Sequence, residues 1–124
     1  MPERDATRLI QTTLIGEALD GAPLAIFVAD DDRRYIAVNE YACRLLGYAR
    51  DELLSLGVLD VAVNRDAQED YDQMLASGFR TGTARLRRKD GTEIDVAYRA
   101  SETTVGTMRL FISACWPAEE STSP

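Results

Sequence analysis

The stretch AVNEYACRLLGY, residues 37–48, changes character at its third residue and decides the fold. The residues before Asn39 read as a strand, whereas the apolar residues after it recur at helical spacing until Gly47. An asparagine oxygen accepts the first free N–H groups of a helix, and a glycine ends a helix in the left-handed conformation. The stretch therefore predicts a strand that passes directly into a capped helix over residues 40–46.

The overall composition limits the class of protein. A chain of 124 residues with 45% hydrophobic residues is long enough for one domain with one core. Its net charge of −7 argues against nucleic-acid binding, which requires many neutralising cations. The first residues lack the layout of a signal peptide, and no apolar stretch approaches the ~20 residues of a membrane span. We therefore expect a cytoplasmic protein without a nucleic-acid or membrane partner.

The sequence contains no histidine, which removes the commonest metal ligand and the usual haem ligand. Its two cysteines, Cys43 and Cys115, do not have a metal-binding spacing and imply no disulfide framework. We therefore expect no metal site, and the composition excludes a histidine-ligated haem.

Residues 5–20 have a helical pattern whose apolar positions cover more than half of the helix circumference. This is wider than one buried stripe needs, so this amphipathic helix is expected to have two surfaces to cover. It forms an N-terminal unit over residues 1–21, ahead of one domain over 22–117 and a disordered tail over 118–124.

The domain itself begins with a hairpin of two strands and ends with three more strands, and the pattern between them predicts short helices. The predicted elements are strands over 24–29, 35–38, 80–88, 92–101 and 107–116, helices over 40–46, 51–54 and 66–77, and an irregular segment or single turn over 56–65. A helical insert between antiparallel strands favours an α+β domain with helices on one face of the sheet.

Two segments resemble the PAS domain family. The first, IFVADDDRRYIAVNEYACRLLGYARDELL, has the strand, Asp, turn, strand, Asn, helix, Gly-Tyr and acidic helix start of the first half, and RRKDGTEIDVAY resembles the hairpin of the second half. The resemblance spans about residues 22–116. It implies a five-stranded antiparallel sheet with the first and last strands side by side, and a role in sensing and signalling.

This resemblance, combined with the alternation of strand side chains, assigns the two faces of the sheet. Nine residues are implied to face a helix-covered pocket, namely Phe27, Ala29, Leu86, Ile94, Val96, Tyr98, Phe111, Ser113 and Cys115. Such a mostly apolar pocket with a few polar groups suits a small, mainly apolar ligand. The same side chains are also compatible with an interior that they simply fill.

PAS domains bind haem, flavin, small metabolites or no visible ligand. The light-sensing flavin branch carries an Asn-Cys motif after the second short helix, and the matching stretch here, Leu56-Gly-Val-Leu-Asp60, has no cysteine. Leu86 and Val96 stand where that branch has asparagines, so the polar edge of a flavin would lose its partners. We therefore expect no cofactor and a colourless protein.

The outer face of the two central strands is apolar and needs cover. It consists of Ile26, Val28, Ile112, Ala114 and Trp116. Because the N-terminal helix has apolar surface to spare, we expect a homodimer in which helices and sheets pack together. Its predicted interface residues are Leu9, Ile10, Leu14, Ile26, Val28, Ile112 and Trp116. After the last strand, Pro117 disfavours direct continuation into an output helix.

Two other functions remain open from the sequence. A cone-shaped α+β enzyme could use Asp60 as a pocket base with Tyr98 as a donor, although no nucleophile motif is present. A carboxylate of Asp60 held inside the pocket would favour that function. A ligand-free dimerisation module, or one that binds a signalling protein domain, is the other possibility.

Overall fold

The structure, a computed structural model, describes residues 2–63, 72 and 76–118. Its elements in chain order are α1 (Pro2–Asp20), β1 (Ala25–Ala29), β2 (Tyr35–Val38), α2 (Glu40–Leu46), α3 (Arg50–Leu53), α4 (Val58–Val61), β3 (Phe79–Arg87), β4 (Glu93–Val105) and β5 (Met108–Pro117). The helix predicted over 66–77 and the tail predicted over 118–124 lie almost entirely outside the described residues.

The junction between β2 and α2 follows the pattern of its sequence. The side-chain oxygen of Asn39 accepts a hydrogen bond from the backbone N–H of Ala42, at 3.1 Å. At the other end of α2, Gly47 has a φ of 79° and donates its N–H to the carbonyl of Cys43. The strand therefore passes into the helix at a single capping residue, with no loop between them.

The five strands form one antiparallel sheet in the order β2-β1-β5-β4-β3. The first and last strands of the chain are neighbours at its centre, with Ala25 opposite Cys115 and Ala29 opposite Phe111. This order, together with short helices on one face of the sheet and α1 ahead of it, confirms the predicted fold class.

The hairpin of β4 and β5 is longer than predicted. β4 continues to Val105 because its pairing with β5 extends to the Val105–Met108 pair. The turn then contains Gly106, whose φ of 63° lies in the left-handed region that glycine favours. Beyond β5, the N–H of Ala118 donates to the carbonyl of Asp95, so the chain stays paired with β4 past Pro117.

The core lies between the inner face of the sheet and the helices α2 to α4. Its most completely buried large side chains come from both layers: Leu46, Leu53, Val61 and Val96. The rings of Phe27 and Tyr35 also pack here, with centroids 5.1 Å apart. The hairpin between β3 and β4 joins this assembly, because Lys89 donates its backbone N–H to the carbonyl of Leu46.

Candidate functional site

The nine residues predicted to line a pocket all lie on the inner face of the sheet, as their strand register requires. Six of them are buried: Phe27, Ala29, Leu86, Val96, Phe111 and Cys115. The other three, Ile94, Tyr98 and Ser113, are half-buried. The least enclosed part of this set is therefore found on the strands toward the β3 edge and at the middle of β5.

The inner face divides into two clusters of buried side chains. The larger cluster packs β1 and β2 against α2 to α4 and contains most of the predicted pocket residues. The smaller cluster contains Ala100 and Phe111. The ring of Tyr98 packs against both clusters, and Ser113 lies between them, directly across from Phe27 on one side and Ala100 on the other.

Tyr35 is an inner-face residue that the sequence reasoning did not select. Burial raises the pKa of its phenol well above the ordinary value, and nearby Cys115 and Asp60 add to the shift. Burial also raises the pKa of the Cys115 thiol from 9.0 to about 12. Both groups are therefore neutral at physiological pH, so the larger cluster is an uncharged interior in which an apolar molecule or apolar packing is favoured.

Asp60 does not occupy the interior position that the enzyme hypothesis requires. It is exposed, and its carboxylate accepts a hydrogen bond at 2.8 Å from the backbone N–H of Gly57 at the start of α4. That contact satisfies an N–H group that would otherwise have no partner at the helix start. Asp60 is thus a helix-capping group, and the structure does not support it as a pocket base beside Tyr98.

The outer face of β1 and β5 is apolar and only partly covered. Val28 lies opposite Ile112, and Ile26 opposite Ala114. Ile112 is 37% exposed and Trp116 42% exposed, whereas Ile26 and Val28 are half-buried. This set of five residues, Ile26, Val28, Ile112, Ala114 and Trp116, is called the outer stripe below.

The helix α1 does not cover the outer stripe in the single chain. Its apolar residues Leu9, Ile10 and Leu14 are 68%, 60% and 59% exposed. They therefore lie at the surface of the single chain, and so do Ile15 and Leu19. In the described part of the chain, no helix has both the length and the apolar character that crossing a membrane requires.

The C-terminal end of α1 is fastened to the domain through Asn39, which is only 5% exposed. The oxygen of this amide accepts from the N–H groups of Ile26 and Ala42, at 2.9 and 3.1 Å. Its nitrogen donates to the carbonyls of Leu19 and Leu24, at 2.8 and 2.9 Å. One side chain therefore joins the last turn of α1, the start of β1 and the start of α2.

A second link is an ion pair between Asp20, the last residue of α1, and Arg50, the first residue of α3. Both side chains are half exposed, so this contact alone is weak. The helices that cover the inner face and the helix that carries the exposed apolar residues are thus joined at two adjacent points.

Among the described residues, one acidic group could hold a metal ion. The carboxylates of Asp30, Asp31 and Asp32 lie within 4.8 Å of one another in the turn between β1 and β2. The Asp30 oxygen accepts the backbone N–H groups of Asp32 and Arg34, at 2.9 and 3.0 Å. These bonds shape the turn, which accounts for the proximity of the carboxylates without a metal.

Comparison with known sequences agrees with this architecture. A sequence model of the PAS domain matches residues 23–115, from just before β1 to two residues before the end of β5. The chain belongs to the PAS domain family. No curated protein sequence matches it.

Solved structures share the fold at low sequence identity. A PAS domain from a two-component sensor histidine kinase is 21% identical, with a TM-score of 0.81 over 90% of this chain and 99% of that chain. The PAS domain of an HTR-like protein from Haloarcula marismortui is 25% identical, with a TM-score of 0.77 over 94% and 99%. A light-oxygen-voltage domain studied with a flavin analogue is 18% identical, with a TM-score of 0.70 over 84% of each chain.

Proposed function

We propose that this PAS domain is a sensory module in which the inner face of the sheet binds a small, mainly apolar molecule and the outer face forms a homodimer. The observation that carries the proposal is the arrangement of β5. This strand presents Phe111, Ser113 and Cys115 to the inner face and Ile112 and Trp116 to the outer face. In this proposal, a ligand that displaces β5 from its inner side also moves the outer-face residues Ile112 and Trp116 of the same strand.

The dimer would bury apolar surface that a single chain leaves exposed. The outer stripe and the apolar residues of α1 are complementary in character, and a twofold dimer brings each against its counterpart. A fully buried leucine or isoleucine contributes about 1.5–3 kcal/mol relative to exposure. A few such residues from each chain are enough for association at micromolar concentration.

The connection from pocket to dimer has two routes in this proposal. One is β5 itself. The other runs through α2, because Asn39 binds both the N–H group of Ala42 in the first turn of α2 and the carbonyl of Leu19 in the last turn of α1. A ligand that displaces α2 by a small distance would change the position of α1 in the dimer. Neither route requires a helix after Pro117.

The proposed ligand is not a flavin, and the residues of the inner face support this choice. Val96 is 1% exposed and Leu86 is 8% exposed, and neither has a polar atom to offer the edge of an isoalloxazine ring. Cys115 lies among buried apolar side chains and burial raises the pKa of its thiol, so the proposal gives this cysteine a packing role. The proposed ligand is accordingly colourless, and light sensing through flavin is not part of the proposal.

A ligand-free dimerisation module is the second candidate function, and a specific observation favours it. The larger cluster is closely filled, since Leu46, Leu53 and Val61 are all fully buried within it. In that case the outer stripe alone carries the function, and the partner is a second copy or a signalling protein domain.

Native mass spectrometry of the purified full chain, together with its absorption spectrum, distinguishes these functions. The sensory proposal predicts a colourless dimer that carries a small bound molecule, or that gains one from a metabolite extract. A dimer that never gains mass would favour the dimerisation module. A visible absorption band of haem or flavin, or a chain that remains monomeric, would contradict the proposal.

A further inference from the structure

Arg99 is a cation on the outer face of the sheet, at the border of the outer stripe. It is exposed and lies directly across from Ala114, so the stripe residues Ile112 and Trp116 stand diagonally to either side of it. Its guanidinium lies over the ring of Phe79, 5.4 Å from the centroid. A charged side chain therefore borders the apolar surface that the proposed dimer covers.

The strand positions nearest to Arg99 on this face carry neutral side chains. Thr81 lies directly across from it on β3, and Ala97 and Ser101 are the outward residues before and after it on β4. A surface that covers Arg99 removes water from its charge, which costs free energy unless that surface brings an anionic group to it. A cover for the outer stripe is therefore favoured when it carries an acid at this position.

The helix α1 carries an acid on one of its apolar sides. Ile10, Leu14 and Glu17 follow one another at intervals of four and three residues, so they lie on the same side of the helix. All three are exposed in the single chain. Asp20, the last residue of α1, is already paired with Arg50. Glu17 is the acid that lies among the exposed apolar residues of this helix.

The spacing along this side of α1 matches the spacing of the strands. The rise along the helix is about 6 Å from Ile10 to Leu14 and about 4.5 Å from Leu14 to Glu17. Neighbouring strands of a sheet lie about 4.8 Å apart. A helix that crosses the sheet with Ile10 over β1 and Leu14 over β5 therefore brings Glu17 over β4, where Arg99 lies.

The single chain does not place its own α1 in this way. The side chains of residues 7–19 are all exposed, so the helix does not lie on the outer stripe of the same chain. Its last turn is fastened instead to the start of β1 through Asn39 and to α3 through Arg50. In a twofold dimer, α1 of each chain can lie on the outer stripe of the other, and every contact then occurs twice.

We propose that Glu17 forms an ion pair with Arg99 of a second copy of the chain, and that this pair sets the register in which α1 crosses the other chain's outer stripe. This inference rests on the proposed function, because it takes the outer face as the homodimer interface. It adds the orientation of α1 and a charge requirement that favours a second copy over an uncharged apolar helix. Charged contacts of this kind fix register and partner choice more than they add affinity.

The test uses two charge-reversal variants of the full chain, Glu17→Arg and Arg99→Glu, each alone and both mixed in equal amounts. Each variant alone places like charges at both copies of the contact, so we expect its dimer to be roughly tenfold weaker than the wild type in sedimentation velocity. In a heterodimer of the two variants, both contacts join an arginine to a glutamate, so the mixture should dimerise as tightly as the wild type.

Native mass spectrometry of the mixture, with one variant ¹⁵N-labelled, measures the fraction of heterodimer directly. Arg44→Glu is the matched control, because it makes the same change of charge at an exposed position of α2, on the other side of the sheet. This control should dimerise like the wild type and should form no preferred heterodimer with Glu17→Arg.

The outcomes separate this inference from the proposed function. If the wild type is a dimer and both variants dimerise as tightly alone, the ion pair is overturned while the apolar interface stands. Weakened variants that do not recover when mixed would also overturn it, because the two charges would then act at separate places. Heterodimers of Glu17→Arg with the wild type that are as tight as the mixture would indicate a contact between the two α1 helices, and would overturn it too. A monomeric wild-type chain would contradict both the proposed homodimer and this inference.

Discussion

The two faces of β1 and β5 carry the same kind of side chain but differ in what covers them. On the inner face, Phe27 and Cys115 are 5% and 2% exposed beneath the helices α2 to α4. On the outer face, Ile112 and Trp116 keep more than a third of their surface exposed. Strands that are apolar on both faces are typical of sheets covered on both sides. In the described part of the single chain, helices therefore cover the inner apolar face and leave the outer apolar face partly exposed.

The largest expected effect of a substitution belongs to the covered layer. Leu53→Ala removes a fully buried side chain, and we expect it to lower the free energy of unfolding by about 2–5 kcal/mol. Ile112→Ala on the outer face should cost less than about 1 kcal/mol in the monomer. Urea denaturation at high dilution measures both values. Equal losses of unfolding free energy in the two variants would contradict the proposed difference between the two faces.

The second largest loss of unfolding free energy is expected at Asn39, which joins α1 to the start of β1 and to α2. Asn39→Ala removes four hydrogen bonds of a buried amide, and we expect a loss of about 2 kcal/mol in unfolding free energy. Asn39→Asp is the matched variant, because it keeps the acceptor for Ala42 and removes the donor to Leu19 and Leu24.

Amide hydrogen exchange measures the two helices that Asn39 contacts, α2 and the last turn of α1, separately. In Asn39→Asp, the amides of α2 should stay protected while those in the last turn of α1 exchange faster. Uniform loss of protection in both helices would show that Asn39 acts only on global stability. No change near Leu19 would show that Asn39 does not hold α1.

A smaller effect follows from the neutral groups of the covered layer. Because the pKa of Cys115 is raised to about 12 in the folded chain, its contribution is fully present below the unfolded pKa of 9.0 and is lost as pH rises toward 12. Between about pH 8 and about pH 10 the unfolding free energy should fall by about 1 kcal/mol through this group. Cys115→Ala should flatten that part of the pH profile, as urea denaturation would measure. If the pH dependence of the unfolding free energy is the same in Cys115→Ala as in the wild type, the thiol is hydrated in the folded chain.

Much of this comparison could be predicted from the sequence. The cap at Asn39, the strands and the alternation of their side chains are local patterns, and the resemblance to PAS domains then implied which face is the inner one and which carries the outer stripe. The inward position of Tyr35 could not be predicted from alternation, because a bulge between Val28 and Ala29 shifts the pairing of β1 with β2. As a result, Tyr35 and Val38 are both buried although strict alternation would place them on opposite faces.

Other features depend on contacts between distant parts of the chain. The sequence indicated that Asn39 caps a helix, but the bonds from its nitrogen to Leu19 and Leu24 depend on how α1 meets the sheet. The apolar pattern of α1 predicted a helix with surplus apolar surface, and the homodimer expected to cover that surface stays a prediction.

The measurement that tests the central claim most directly is sedimentation velocity of the full chain beside two α1 variants. Leu14→Glu places a charge on an exposed apolar position of α1, and Thr12→Glu places the same charge on a polar position of that helix. We predict that the wild-type chain and Thr12→Glu sediment as dimers at micromolar concentration and that Leu14→Glu sediments as a monomer. A monomeric wild-type chain, or a Leu14→Glu variant that dimerises as tightly as the wild type, would contradict the account.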